Sequence, residues 1–220
     1  MGKLLILKMS VPTKENLQIF IKIKLISIFI LIYLYFIKNL NNIKIALCTM
    51  GKKENLYIKE FVDYYIRLGI DHIFIYDDND PNTEKMTNII NDTYKNIVTI
   101  YENIKDTIKD QPQAFTTCYH NNIKNYDWFI MFDMDEYLYI VNDTLKNYLS
   151  NKRFDKCDFI KLNWVLTKDN NLLHYDPRPL FKRFKGPYIK NVFIKSIIRG
   201  NILNLKYWVH SPYISPKRNN

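Results

Sequence analysis

The run YDWFIMFDMDEYL at residues 126–138 decides the fold class of this chain. Five consecutive apolar residues, 128–132, predict a strand that is buried on both faces, as in the middle of a parallel sheet. The run then ends at Asp133, Asp135 and Glu136. Ligands of such sheets bind beyond the carboxyl ends of the strands. The sequence therefore predicts a ligand site at these acids.

The spacing of Asp133 and Asp135 favours a metal site. In an extended chain, residues two apart point to the same side, so both carboxylates can face one point while Glu136 faces away. Carboxylates this close repel each other unless a cation lies between them. Oxygen ligands suit Mn²⁺ or Mg²⁺, and such ions keep positions open for substrate phosphates. The alternative is a solvated acidic turn at the end of a strand.

Charge and length set outer limits on function. The chain has 220 residues and a formal net charge of +10, enough length for one domain with a substantial core. Six lysines against one glutamate in residues 1–40 account for half of this excess. The other half is spread over the rest of the chain as a mildly basic surface without a binding stripe. We therefore expect no nucleic-acid partner.

The cysteines indicate no special chemistry. Cys48, Cys118 and Cys157 form an odd set without a Cys-x-x-Cys pair, which indicates neither a zinc site nor a disulfide framework. Cys48 and Cys118 stand in apolar patterns. We expect both to be buried thiols.

The N-terminal region contains an uncharged apolar run at residues 25–37. Extended back to residue 17 it admits only two lysines, and it then reaches the roughly 20 residues that a membrane span requires. More lysines precede the run than follow it, so the tail at 1–16 is expected to stay cytosolic while the main domain crosses. We predict a transmembrane signal-anchor at 17–38. A cleaved signal peptide and a buried helix are the alternatives.

After a polar linker at 39–42, the domain at 43–220 begins with alternating strands and helices. This alternation predicts an α/β fold with a mostly parallel central sheet flanked by helices, preceded by the N-terminal hydrophobic helix. The predicted strands are 43–49, 70–76, 97–101 and 128–132, and the predicted helices are 54–68, 83–91 and 111–123. Beyond Tyr139 the pattern predicts a short helix at 144–149 and strands at 159–166, 180–184, 192–198 and 205–209.

Three blocks of residues follow one another in a recognisable order. The first holds Cys48-Thr49, Lys53-Glu54, Glu60-Phe61-x-x-Tyr64 and Leu68-Gly69-Ile70-Asp71-His72-Ile73-Phe74-Ile75-Tyr76-Asp77; the second holds Gln111-x-x-Ala114-Phe115-x-x-Cys118 and Asp127-Trp128-Phe129-Ile130-x-Phe132-Asp133-x-Asp135-Glu136-Tyr137; the third holds Asn163-Trp164, Pro179-Leu180-Phe181-x-Arg183-Phe184, Lys195-Ser196-Ile197-Ile198-Arg199 and His210. Together they resemble glycosyltransferase family 92 and its family-2-like relatives, over residues 43–212.

This resemblance implies a GT-A fold, a nucleotide-sugar donor and transfer of a hexosyl group to a glycan or glycoconjugate acceptor, with inversion at the anomeric carbon. It implies that Asp133 and Asp135 hold Mn²⁺ or Mg²⁺ against the diphosphate, where the metal neutralises the leaving nucleotide. Asp77 and Asp78 would face the base or ribose, and Glu54 would lie near the same pocket. Otherwise Asp77 and Asp78 belong to a turn, and Glu54 is an acid favoured by a helix start.

His210 is the expected third metal ligand. It ends the apolar run at 205–209 and is followed by Ser211-Pro212, so it stands at a predicted strand end. Neutral imidazole binds ions of the Mn²⁺ type, and the resemblance points to a histidine at this position. The alternative is a polar residue that finishes a strand.

The acceptor side departs from the family pattern. The segment at 166–171 replaces a glycine-containing loop, and Lys53 replaces the asparagine that the family has before Glu54. An inverting reaction needs a carboxylate base, for which Asp169 and Asp176 are the candidates by position; we take Asp169. A degenerate domain that binds a nucleotide sugar or glycan without catalysis is the alternative function. A secretory, Golgi-like location is expected if the source is eukaryotic.

Overall fold

The computed structural model describes residues 22, 24–33, 43–90, 92–168, 171–172, 174–184, 186, 188–208 and 210–214. The chain divides into two compact units, Met1–Asn42 and Ile43–Asn220. In the first unit, residues 24–33 are helical. None of the helices within the described residues has the length and apolar character needed to cross a membrane. Much of the predicted signal-anchor at 17–38 lies outside the described residues, and it stays a prediction.

A six-stranded sheet forms the centre of the second unit. Its strands lie in the order β3-β2-β1-β4-β6-β5, and a separate hairpin pairs β7 with β8. β1 to β4 are parallel to one another, whereas β6 runs antiparallel to β4 and β5 antiparallel to β6. The strands are β1 (Ile45–Gly51), β2 (His72–Asp77), β3 (Val98–Tyr101), β4 (Trp128–Met131), β5 (Phe159–Thr167), β6 (Tyr188–Arg199), β7 (Leu205–Trp208) and β8 (Ser211–Ile214). The prediction of a mostly parallel α/β sheet is confirmed.

Helices cover both faces of this sheet. α1 (Ile58–Leu68) buries apolar residues three and four apart on one face and ends at Gly69, whose φ of 99° favours glycine. α2 (Gln111–Asn122) packs on the other face and starts at Asp110, whose carboxylate accepts a hydrogen bond from a first-turn amide. α3 (Leu145–Leu149) and α4 (Leu180–Arg183) are short.

A disulfide joins the sheet to one of its covering helices. Cys48 in β1 and Cys118 in α2 are bonded, with Cα atoms 6.4 Å apart, and both side chains are fully buried. The expectation of two buried thiols was therefore correct about burial and wrong about oxidation state. The two residues are 70 apart in sequence, so only the packing of α2 on the sheet brings them together. Cys157 is free.

Two predicted elements are wrong, and each error has a local cause. Residues 83–91 form no α-helix within the described part, because Lys85 is extended and the amide of Met86 donates to Asp77 instead. Residues 180–183 are helical rather than extended, because the carboxylate of Glu60 accepts from the amide of Leu180 at the helix start. Strand β8 was not predicted because Pro212 was read as a break; proline is tolerated at such a sheet edge.

Candidate functional site

A turn of four residues, 133–136, follows β4 and is called the acid turn here. β4 ends at Met131, and the amide of Glu136 donates to the carbonyl of Asp133 over 3.1 Å. The chain is therefore not extended between Asp133 and Asp135, and the expectation that they share the face of a strand is wrong. Glu136 does not face away, since its Oε2 accepts from the amide of Asp133 over 3.0 Å.

The middle of the acid turn is fixed by packing. Met134 is 3% exposed and lies against Gly51 at the end of β1. A Cβ at Gly51 would overlap the sulfur of Met134, so any other residue at this position would require the Met134 side chain to shift. Asp133 is half-buried and Asp135 is exposed. The two acids therefore differ in environment, one facing the protein and the other facing solvent.

Asp133 is held by two side chains from distant parts of the chain. Its Oδ1 accepts a hydrogen bond from Nε2 of Gln111 over 2.6 Å, and its Oδ2 lies 2.8 Å from Nζ of Lys195. Gln111 is the first residue of α2, and Lys195 lies in β6. Lys195 is 2% exposed, and its Nζ is also 3.5 Å from Oε2 of Glu136.

Sequence reasoning gave neither Gln111 nor Lys195 a role, although both stand in the blocks that carry the family resemblance. A signal was present for Lys195. It stands with Ser196 in an otherwise apolar run at 192–198, and a lysine inside a buried strand requires an anionic partner.

Negative charge accumulates around the acid turn. Burial raises the pKa of Glu136 to about 7, and the charge of Asp133 adds to this shift, while Lys195 opposes it. Burial also raises the pKa of Glu54, and the charge of Asp135 raises it further. Among the described residues, the neutralising charge that contacts Asp133 and Glu136 is the ammonium of Lys195. The site is therefore suited to bind a further cation.

Polar atoms without partners lie near the same place. The Trp164 ring lies 5.8 Å from Nζ of Lys195 and 5.2 Å from the ring of His210. Trp164 Nε1, His210 Nδ1 and the Tyr207 hydroxyl are buried and have no hydrogen-bond partner within the described residues. Burial raises the pKa of Tyr207, with Glu136 adding to the shift, which places this hydroxyl within electrostatic range of the acid turn.

The acids at the end of β2 shape a loop. Asp77 is 1% exposed, and its two oxygens accept hydrogen bonds from the amides of Asn79 and Met86, each over 2.9 Å. Asp78 is half-buried, and its amide donates to the carbonyl of Gly51 over 2.9 Å. Asp77 therefore has a structural role beside the site. A contact of either acid with a nucleotide stays a prediction.

The two candidate catalytic bases, Asp169 and Asp176, differ in what the structure says about them. Asp169 lies outside the described residues. Asp176 accepts a hydrogen bond from the amide of Arg178 over 2.9 Å, and the Arg178 guanidinium lowers the pKa of Asp176 to about 2. A carboxylate with so low a pKa is a weak base, so the structure gives no support to Asp176.

Within the described part of the chain, no three His, Cys, Asp or Glu side chains are grouped so as to hold a metal ion. Asp133 and Asp135 share the acid turn, and Glu54 is near enough to Asp135 for their charges to interact. His210 contacts the Trp164 ring, which in turn lies 5.8 Å from Nζ of Lys195, the partner of Asp133. The proposed three-ligand set stays a prediction.

A cavity of about 490 Å³ lies elsewhere, between β2, β3 and α2. Its lining includes Tyr76, Tyr101, Glu102, Gln113, Thr117 and Asn121. No residue of the acid turn contributes to it. The candidate site is therefore the acid turn and its charged neighbours, because none of the acids discussed above lines the cavity.

Comparison with known proteins identifies the family. The sequence profile of glycosyltransferase family 92 matches residues 42–213. The chain belongs to glycosyltransferase family 92. The match covers the whole central sheet and the acid turn, and it confirms the family resemblance noted in the sequence.

Family 92 proteins of plants share part of this sequence. The chain is 31% identical over 108 residues to a glycosyltransferase family 92 protein of Oryza sativa subsp. japonica, covering 48% of this chain and 18% of the rice protein. Family 92 proteins of Ricinus communis and Arabidopsis thaliana are 24% identical over 109 residues and 26% identical over 98 residues. These stretches cover 47% and 44% of this chain, and 19% and 16% of the relatives. The shared stretch is thus less than a fifth of each relative.

Proposed function

We propose that this chain is a metal-dependent glycosyltransferase of GT-A type, which moves a hexosyl group from a nucleotide sugar to a glycan or glycoconjugate with inversion. The observation that carries the proposal is the acid turn. It stands at the carboxyl end of a buried parallel strand in a family 92 chain, and its negative charge exceeds what the described neighbours neutralise.

The charges of the acid turn favour a divalent cation, although no three possible ligand side chains are grouped among the described residues. The pKa values of Glu54 and Glu136 are both raised in part by a neighbouring carboxylate, and a cation would relieve that repulsion. Nδ1 of His210 is buried without a partner among the described residues, as expected for a ring nitrogen reserved for a ligand. We propose Asp133, Asp135 and His210 as the residues that hold Mn²⁺ or Mg²⁺. Such an ion, when bound, supplies charge that neutralises the departing diphosphate.

The protein's own side chains provide orientation. Gln111 and Lys195 fix Asp133 in one orientation before substrate arrives, which reduces the entropy that binding must remove. Asp77 orders the loop after β2 through two backbone amides. We propose that Asp78 and Glu54, which border the end of β1, contact the nucleotide. Asp169 is the proposed base, to be tested by mutation.

We also propose that the chain is membrane-anchored through residues 17–38, with the catalytic domain in a secretory compartment if the source is eukaryotic. The Cys48–Cys118 disulfide supports this topology, because such bonds persist in oxidising compartments. Protease protection of the 43–220 domain in sealed membranes is the expected result. Digestion of the domain without detergent would contradict the topology.

The decisive experiment measures hydrolysis of a panel of nucleotide sugars by the full chain, with Mn²⁺ and with EDTA. Mn²⁺-dependent hydrolysis is expected for the native protein, and Asp135→Asn is expected to abolish it while leaving the fold intact. Asp155→Asn, which changes an exposed acid outside the acid turn, is the matched control. Turnover by Asp135→Asn equal to that of the native protein would contradict the metal assignment.

A second function is supported by one specific observation. Both carboxylate oxygens of Asp133 already have partners, Gln111 and Lys195. Asp133 therefore needs no metal ion to balance its charge, as expected of a non-catalytic domain that binds a nucleotide sugar or glycan. Calorimetric binding of a nucleotide sugar without any hydrolysis or transfer would favour this alternative.

A further inference from the structure

Lys195 occupies an unusual position for a lysine. It lies in β6 one residue beyond the last pair with β4, which joins Met131 to Ser196. Its side chain is therefore level with the acid turn that follows β4. The residue is 2% exposed, so its ammonium has little access to water. A buried ammonium is costly unless anionic partners compensate for its lost hydration.

The compensation comes from two acids of the acid turn. Nζ of Lys195 lies 2.8 Å from Oδ2 of Asp133 and 3.5 Å from Oε2 of Glu136. The Trp164 ring lies 5.8 Å from the same atom, on a side where it contributes a cation–π contact. Asp135 is absent from this set, and its side chain is exposed. The ammonium of Lys195 thus joins Asp133 to Glu136 and makes no contact with Asp135.

The backbone of the turn depends on the same side chains. The amide of Asp133 donates to Glu136 Oε2 over 3.0 Å, and the amide of Glu136 donates to the carbonyl of Asp133 over 3.1 Å. Without a cation, the carboxylates of Asp133 and Glu136 would repel each other across this closed turn. Lys195 removes that repulsion from within the protein.

We propose that Lys195 is the internal counter-ion of the acid turn, which orders the turn in the metal-free protein and leaves Asp135 as the acid that an arriving divalent cation meets first. The first half of this proposal concerns the metal-free protein alone. The second half rests on the metal dependence proposed above. Lys195 is in this sense a positioning residue, because it acts through Asp133 and Glu136.

Thermal unfolding in EDTA tests the first half. Lys195→Met is expected to lower the Tm by several degrees, because it leaves two adjacent carboxylates without a counter-charge. Adding Asp133→Asn to Lys195→Met removes one negative charge, retains the acceptor atom for Gln111 and is expected to restore more than half of the loss. Lys190→Met changes an exposed lysine of the same strand and should leave the Tm unchanged.

The charge-balanced variant keeps the test decisive if Lys195→Met does not fold. A folded double variant beside an unfolded single variant would support the counter-ion role. A double variant that is no more stable than Lys195→Met, or that also fails to fold, would overturn it, because lost packing rather than unbalanced charge would then explain the defect.

Repeating the melts with Mn²⁺ tests the second half. The Mn²⁺-induced increase in Tm is expected to be larger for the native protein than for Asp135→Asn, because the variant lacks the exposed carboxylate that meets the ion. An equal or larger increase for Asp135→Asn would overturn this half. If Mn²⁺ changes the Tm of neither protein, the proposed metal site fails and this half fails with it, whereas the melts in EDTA still decide the counter-ion role.

Discussion

The guanidinium of Arg183 lies 2.7 Å from the carboxylate of Glu60, although 123 residues separate the two in sequence. Arg183 is 6% exposed and also donates to the carbonyl of Asp176 over 2.8 Å. The second oxygen of Glu60 accepts from the amide of Leu180. One acid on α1 thus starts helix α4 and binds its last residue, which holds the 176–183 segment beside α1.

Replacing Arg183 by methionine should destabilise the fold substantially. The partly buried Glu60 would lose its counter-charge, and we expect the free energy of unfolding to fall by about 1–3 kcal/mol, between the values typical of exposed and buried pairs. Urea unfolding measures the loss. Lys59→Met, which removes an exposed pair with Asp63 on the same helix, should cost less than about 0.5 kcal/mol. Equal losses in the two variants would contradict the assignment.

The disulfide should contribute a large share of stability. Its cysteines are 70 residues apart, and the chain-entropy model gives about 4 kcal/mol for a loop of that length. Replacing Cys48 and Cys118 together by alanine should therefore lower the urea midpoint strongly, whereas Cys157→Ala should not. Alkylation of the unfolded, unreduced native chain should label Cys157 alone; labelling of all three cysteines would contradict the bond.

His72 should make stability depend on pH. Burial lowers the pKa of its imidazole below the ordinary 6.5, and Nε2 lies 2.8 Å from Oγ1 of Thr99. The unfolded chain therefore binds more protons below pH 6.5, so stability contributed by neutral His72 is present above that pH and is lost as the pH falls below it.

The shift of Glu136 acts in the opposite direction over an overlapping range, from its ordinary 4.5 to about 7. The informative quantity is therefore the difference between the native protein and His72→Gln, measured by urea unfolding from pH 8 to pH 5. The stability advantage of the native protein should shrink toward pH 5. A difference independent of pH would contradict the prediction.

Tyr207→Phe should separate folding from function. The Tyr207 hydroxyl is buried without a partner among the described residues, so removing it should leave stability unchanged or raise it slightly. If the hydroxyl serves a ligand at the acid turn, turnover should fall by at least about tenfold, since removing one hydrogen-bond donor to a reacting group typically costs roughly 100-fold or more. Tyr119→Phe is the control, since that hydroxyl donates to the carbonyl of Arg199 and its loss should lower stability instead.

The local sequence pattern was sufficient to predict the strands of the central sheet, but it did not predict the conformation of the acid turn. The unbroken apolar run at 128–132 indicated a buried strand, and the spacing of apolar residues at 54–68 indicated a helix. The acid turn depends on a backbone bond between Asp133 and Glu136, which an alternating acid pattern does not reveal. Sequence spacing therefore identified the acids and misjudged how they face one another.

Long-range contacts explain the remaining errors. The Cys48–Cys118 bond, the Gln111–Asp133–Lys195 group and the Glu60–Arg183 pair each join residues from separate elements. Their partners become neighbours only after the helices pack on the sheet, so no local window contains both members. Helix α4 was predicted as a strand for this reason, because its starting partner lies on α1.

The packing of Met134 against Gly51 connects the acid turn to the central sheet. The buried methionine between the two aspartates packs against the end of β1, so the acid turn is attached to the edge of the central sheet through this side chain. A side chain at position 51 would require Met134 to shift, and it would thereby change the packing beneath both aspartates.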